Sequence, residues 1–456
     1  MSRGLIRAGV VSLLLMPYGV AQAQAFSTTD PRTLGMGGVG VAVSHSANAG
    51  YINPALLSLA REGDHFSLAL PVIGGRFRDP DALAGELQTY QDRRLEGDLT
   101  ATIDAYANLN AADVEITDDN ASINEARNAA RDVADAAQSL LNQGQRLSGR
   151  PLQGEAFTGV AIGATDARLG AALSFSNYSL MSGALSFSDG ALIQGIIDAA
   201  TTTAEATDQA GLDALEQDPA VADQLAGTTT AVDNMTSNLH AWGAEISEIG
   251  LSLSRAVSVL GQDVAVGITP KVMMVQTFHY AVGLDAADID NADIGTEDYT
   301  DFNMDLGLAT QFGDGWTAGL VFRNLIAQEY VTRPFVTAAL AAQGVSVAAT
   351  QIKIEPQARL GLAHRGEWLT LGADVDLVEI APVGVTSEAQ YLGLGAEMAL
   401  FDWLRLRAGY RHNLSDSDTD VPTLGLGFSP FGLQVDVAYG KTGTEKVAAL
   451  QLGFRF

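Results

Sequence analysis

Val447-Ala448-Ala449-Leu450-Gln451-Leu452-Gly453-Phe454-Arg455-Phe456 reads as a strand with two unlike faces. Ala448, Leu450, Leu452, Phe454 and Phe456 fall on one face, and Val447, Ala449, Gln451, Gly453 and Arg455 on the other. Such period-two alternation belongs to a β-strand. Its length suits one tilted crossing of a bilayer, about 9–11 residues. In water an apolar strand with a free edge is an aggregation hazard. The hazard disappears if the strand closes a membrane β-barrel against the first strand of the chain, because a closed barrel has no edge and satisfies its backbone internally.

The same pattern recurs upstream. A first strand is read over His65–Ile73. Thr158, Val160 and Ile162 alternate with small residues, as do Leu173 and Phe175, and Ile249, Leu251 and Leu253. Further strands follow at 264–269, 302–308 and 316–322. The residues Ile352, Ile354, Ala358, Leu360 and Leu362 read as one long strand against Lys353, Glu355, Gln357, Arg359 and Gly361. Strands at 369–376, 392–398, 404–411, 424–428 and 433–439 bring the count to about fourteen, an even number, as single-chain bacterial barrels require.

The connections alternate in length. Short turns fall at Asp166-Ala167, Gly261-Gln262, Gly313-Asp314-Gly315, Arg365-Gly366, Asp402 and Pro430-Phe431-Gly432, with long connections between them. Short turns on one rim and long loops on the other is the outer-membrane layout. Phe312, Trp316, Trp368, Phe401, Trp403 and Phe428 cluster near the short turns, where an interfacial girdle belongs. Two long inserts interrupt the pattern, at 79–150 and 181–240. The first carries helical spacing in Ile123, Ala126, Ala130, Val133, Ala137, Leu140 and Leu141, and the second is acidic and rich in Ala and Thr. They are expected outside the bilayer, on the extracellular side, as helical or disordered loop inserts.

Composition agrees. The 456-residue chain has no Cys, which removes disulfides and thiol chemistry. Its net charge of −28 opposes nucleic-acid binding, which needs a basic surface. After the N-terminus no apolar run reaches the ~18 residues of a transmembrane helix. Residues 1–25 read as a cleavable signal peptide: Arg3 and Arg7 precede an apolar core, Ala8–Met16, and the overlapping Ala21-Gln22-Ala23 and Ala23-Gln24-Ala25 are cleavage signals.

Between the signal and the strands lies a glycine-rich segment, residues 26–63. It contains Leu34-Gly35-Met36-Gly37-Gly38-Val39-Gly40-Val41 and then Asn53-Pro54-Ala55. Gly35, Gly37 and Gly40 formally fit a dinucleotide-binding fingerprint, but no strand precedes them and no helix-and-strand unit follows. Gly35, Gly37, Gly38 and Gly40 instead permit close backbone packing. Pro54 fixes its own φ and biases Asn53 to an extended conformation.

This segment resembles the N-terminal signature of the long-chain fatty-acid transporter (FadL-type) superfamily of outer-membrane barrels, which includes barrels known as conjugal-transfer TraF proteins. The resemblance implies a hatch at 26–63 plugging a fourteen-stranded barrel at 64–456, with Gly35, Met36, Gly37, Gly38, Gly40, Asn53 and Pro54 in the plug. It implies residence in the bacterial outer membrane, with membrane lipid and the barrel-assembly machinery as partners and Phe454 and Phe456 as the assembly signal. It also implies passive uptake of hydrophobic small molecules such as long-chain fatty acids, with a TraF-type structural or assembly role and an open porin as alternatives.

No catalytic, cofactor or metal motif stands out. The histidines His45, His65, His240, His279, His364 and His412 lack metal-ligand spacing, and there is no G-x-S-x-G. Alternation turns Asp374, Asp376, Arg405, Arg407, Arg411 and Asp436 inward, together with Asp305, Glu355, Glu397, Arg359 and Arg455. They are expected to pair across a polar lumen, since an unpaired charge away from water is costly.

Overall fold

The structure, a computed structural model, describes residues 21–23, 30–44, 46–59, 66–111, 120–166, 169–206, 235–283, 295–380, 389–416 and 419–455. Phe456 and the body of the signal segment lie outside them.

Fourteen antiparallel strands close into a barrel. The ascending and descending strands are β1 (Phe66–Arg78), β2 (Pro151–Ala164), β3 (Gly170–Ser186), β4 (Asn238–Val259), β5 (Gln262–Gly283), β6 (Thr296–Phe312) and β7 (Trp316–Arg323). They continue as β8 (Gln357–Arg365), β9 (Leu369–Asp376), β10 (Tyr391–Phe401), β11 (Leu404–Asn413), β12 (Val421–Phe428), β13 (Leu433–Lys441) and β14 (Glu445–Arg455). Each pairs with its sequence neighbours, and β14 closes on β1 from Glu445↔Arg78 to Arg455↔Ser67. The seam carries a bulge at Leu70-Pro71, where proline cannot donate to the ladder.

The wall is inside out relative to a soluble protein. Leu173, Ile249, Phe302, Leu394 and Leu424 are exposed, at 51, 47, 51, 48 and 68%. Their inward neighbours Ser174, Glu248, Asn303 and Thr423 are buried. Only lipid makes this arrangement favourable, since an apolar band of that extent in water would associate. Near the short turns the girdle aromatics pair: Phe401 stacks on Trp403 at 5.3 Å, and Trp403 meets Phe428 at 5.4 Å. No helix among the described residues is long and apolar enough to cross a membrane; the strands do so.

The barrel is lopsided. β4 and β5 run for 22 residues each, whereas β7, β9 and β12 run for 8. The tall side rises past the membrane and carries the helices. After two short N-terminal helices, α1 (Pro31–Gly35) and α2 (Ser46–Ile52), the first long connection supplies α3 (Leu83–Arg93), α4 (Leu95–Ala111) and α5 (Asn120–Leu147). The second supplies α6 (Gly190–Glu205). The buried row of α5 is Ile123, Ala126, Ala130, Val133, Ala137, Leu140 and Leu141. The long helices share a core with Leu152, Leu185, Leu239 and Val282 on the tops of β2–β5.

Several boundaries differ from the sequence reading. β3 persists to Ser186 and β4 begins at Asn238, so residues 181–186 and 238–240 are wall rather than insert. The stretch read as one strand from Ile352 to Leu362 is two. Pro356 breaks it, and Gln351–Ile354 leaves the wall to pair with Gln328–Val331 inside the barrel. Ala21–Ala23 lies parallel to this strand, beside Ile352–Ile354.

Candidate functional site

The interior is occupied from below by residues 30–59. Local sequence sets their shape. Asp30 caps α1, its Oδ1 accepting from the amides of Arg32 (3.0 Å) and Thr33 (3.1 Å), with Pro31 at the first helical position. Asn53 is extended before Pro54 and caps the 3₁₀ turn Pro54–Ser58, its Oδ1 accepting from the Ala55 amide at 3.1 Å. Its Nδ2 donates to the carbonyls of Val41 (2.9 Å) and Leu308 (3.3 Å), tying two turns of the segment to β6. Gly37 and Gly38 adopt φ of +69° and +97°, which favour glycine.

The segment lies backbone-on-wall. Along the rows of β3, β5–β8 and β10–β12 that face it, the wall presents glycine where the segment passes. A Cβ on Gly395 would stand 2.3 Å from the Met36 carbonyl oxygen, one on Gly319 2.5 Å from that of Val41, and one on Gly170 2.3 Å from that of Leu57. A Cβ on Gly267 would stand 2.4 Å from the Ala55 nitrogen. Sequence reading noted the hatch glycines and missed these partners. They were visible as inward glycines in alternating strands, but nothing local says what presses on them.

Charge fastens the same segment. Arg32 reaches Glu397 by two bonds, 2.8 Å from Nε and 2.7 Å from Nη2, and also donates to the Val43 carbonyl. Glu397 in turn binds Arg407 (2.7 Å), which binds Asp436 (2.6 Å). Two guanidiniums and two carboxylates thus form a neutral buried chain. Asp374 accepts from the amides of Gly40 (2.8 Å) and Val41 (2.9 Å), and Asp376 pairs with Arg359 at 2.5 Å.

The expected charge ladder is therefore several separate clusters. Asp374 binds the segment directly, Asp376 reaches it through Arg359, which donates to the Gly38 carbonyl (3.4 Å), and Arg407 and Asp436 reach it through Glu397 and Arg32. Arg411 belongs to a higher group with Glu445, which also binds Arg76 at 3.0 Å. Arg405 stands instead at the short-turn rim, donating to Ser429 Oγ at 2.7 Å. Asp305 joins Lys271 (3.1 Å) and Arg323 (3.9 Å) rather than the arginines first paired with it, and Glu355 lies outside the wall strands. Arg32, Arg76, Glu445, Glu248 and Lys271 are members that sequence reading missed.

A polar lumen was expected; much of it is apolar. Above the N-terminal segment Phe157, Tyr178, Trp242, Ile246, Met273 and Val275 wall an apolar chamber that is filled by Tyr51 from below and by Tyr330, Ile352 and Ile354. Phe157 packs edge-on to Tyr51 at 5.7 Å and tilts against Tyr178 at 4.8 Å. Runs with apolar residues on both faces, such as 238–246, were the available signal. A groove of about 790 Å³, lined by Ala396, Leu406, Ala408, Leu424 and Tyr439, lies on the lipid side of the wall and is separate from the chamber.

Fold and interior define a membrane β-barrel of the outer-membrane type, with an N-terminal segment folded into its lumen. The chain belongs to the family described as F plasmid transfer operon, TraF, protein, whose model matches residues 50–376. In fold it is similar to a Pseudomonas aeruginosa FadL homologue, at 12% identity and TM-score 0.50, covering 96% of this chain and 100% of that one. It is also similar to the Ralstonia pickettii toluene transporter TbuX, at 13% identity and TM-score 0.49, covering 94 and 98%. No curated protein matches the sequence.

Proposed function

We propose that this protein resides in the bacterial outer membrane and admits hydrophobic small molecules by passive uptake, with residues 30–59 as its plug. The observation that carries this reading is an apolar, aromatic-walled chamber inside the barrel, above the N-terminal segment, occupied by the protein's own side chains. An open porin keeps a wet, polar channel. Here Tyr51, Phe157, Tyr178 and Trp242 give the lumen an apolar lining instead. Long-chain fatty acids and other apolar molecules fit that chemistry.

The family match favours a second reading, a structural component of a conjugal-transfer apparatus. One set of measurements separates the two from each other and from a porin. For uptake, the purified protein is nearly silent in planar bilayers, binds a fluorescent long-chain amphiphile and carries it into proteoliposomes. Free conductance of the intact protein would favour the porin. A closed barrel that binds no amphiphile of any chain length would favour the apparatus. Phe454 and Phe456, as the signal to the barrel-assembly machinery, are tested by deleting both and assaying heat-modifiable, membrane-inserted protein.

A further inference from the structure

The connection between β7 and β8, residues 324–356, does not stay outside the barrel. Asn303 Nδ2 on β6 donates to the carbonyl of Ile326 (2.9 Å) and to Gln328 Oε1 (3.1 Å), drawing the chain inward. Gln328–Val331 and Gln351–Ile354 then form an antiparallel hairpin, with Ala21–Ala23 along its outer edge. Its one face carries Tyr330, Ile352 and Ile354, exposed by 1, 0 and 0%, into the apolar chamber. Its other face carries Val331, 46% exposed, and a Lys353–Glu329 pair whose glutamate is half in water. The chamber is thus filled by the protein's own side chains.

The attachment to the wall is mainly by side chains: Gln328 Nε2 donates to the Phe302 carbonyl (3.1 Å) and Thr277 Oγ1 to that of Val331 (3.5 Å). Val331 offers its carbonyl to Tyr299 Oη (2.7 Å), and Thr332 Oγ1 lies 3.0 Å from His279 Nδ1. Beyond, Phe335-Val336 pairs with Tyr280-Ala281, which anchors the outer part of the connection to β5. The small sheet, with Ala21–Ala23 on its other edge, meets the wall mainly through side chains rather than along a continuous backbone ladder, and such an element opens before the wall does.

The chamber's charged neighbours are already matched. Lys271 holds Glu248 (3.0 Å) and Asp305 (3.1 Å), Arg323 lies 3.9 Å from each carboxylate, and its Nη2 is 3.4 Å from Tyr178 Oη in the chamber wall. Two cations face two carboxylates, all nearly inaccessible. A further anion entering beside them would be an uncompensated buried charge.

We propose that the hairpin Gln328–Ile354 is a displaceable occupant of the chamber, and that the molecule which exchanges with it is uncharged. This rests on the uptake reading and narrows its cargo. Tyr330, Ile352 and Ile354 swing out as a unit and an apolar molecule takes their place. A fatty acid would then enter as the neutral acid, and neutral aliphatic or aromatic molecules are the better cargo.

The absence of native cysteine makes the test clean. His279→Cys with Thr332→Cys, joined by a short thiol-cleavable bis-thiosulfonate linker in lipid nanodiscs, ties the hairpin to β5. Binding of the neutral probe N-phenylnaphthylamine and of the anionic probe cis-parinarate is measured above an empty-nanodisc background. Linking should weaken neutral-probe binding about tenfold or more, because the competent population is removed, and thiol reduction should restore it. Tyr330→Ala should strengthen it. Equal affinity in the linked and released forms would overturn the exchange, and cis-parinarate binding as tightly as the neutral probe would overturn the charge argument. If wild type, released protein and Tyr330→Ala all bind neither probe, the uptake reading falls along with this one.

Discussion

Gly37 in the N-terminal segment and Gly409 in the wall touch backbone to backbone: a Cβ on Gly409 would lie 2.0 Å from the Gly37 nitrogen. No side-chain rotation relieves such a contact, because both partners are main chain. Gly409→Ala should therefore unseat the plug or strain β11. The expected result is raised small-ion conductance in planar bilayers together with a lower heat-modification midpoint. Gly443→Ala, in the β13–β14 turn with nothing within 4 Å of the added methyl, should behave as wild type. Equal behaviour of the two variants would mean that the plug is not pressed on the wall.

Arg32 should matter through charge balance. Arg32→Met leaves Glu397 and Asp436 facing Arg407 alone, and breaking a buried pair in this way costs about 3–5 kcal/mol. Adding Glu397→Gln leaves the matched pair Arg407–Asp436 and should recover part of the loss. Heat-modification midpoints of the two variants test this. A double variant less stable than Arg32→Met would show that charge imbalance is not the cause.

Leu424 is 68% exposed on β12. Leu424→Arg puts a cation against lipid and should cost about 2–4 kcal/mol if the site lies near the midplane. Leu424→Phe should insert normally. Comparable insertion of both variants, read by folding into vesicles, would mean that this face does not meet lipid.

Orientation is tested with single cysteines. Gln145 is exposed on α5, and Asp314 is exposed in the β6–β7 turn. Gln145→Cys should react with a membrane-impermeant maleimide on intact cells, and Asp314→Cys only after the outer membrane is permeabilised. The reverse pattern would invert the barrel.

The wall was readable because a lipid-facing strand states its environment residue by residue. Leu450 and Leu452 point out and Gln451 points in, and no distant partner is needed to know it. The interior was harder because its partners are remote. Ile352 and Ile354 keep the parity of Ala358, Leu360 and Leu362 across Pro356, so a lumen hairpin imitates a wall strand. Arg405 shares the parity of Arg407, yet two residues along a strand is the distance between the plug and the rim. Arg32 and Glu397 are 365 positions apart. Nothing near either one announces the other.

The glycine seats carry a consequence for the order of assembly. Residues 30–59 meet β3, β5–β7 and β10–β12, half of the circumference, through close main-chain contacts at wall glycines. A finished cylinder could not admit it by sliding, since each seat is shaped by the segment it holds. The strands must instead be laid around the segment while the β14–β1 seam is still open. Residues 30–59 would then serve as a mandrel: the segment that fills the lower lumen would also set the curvature on which the wall is wound.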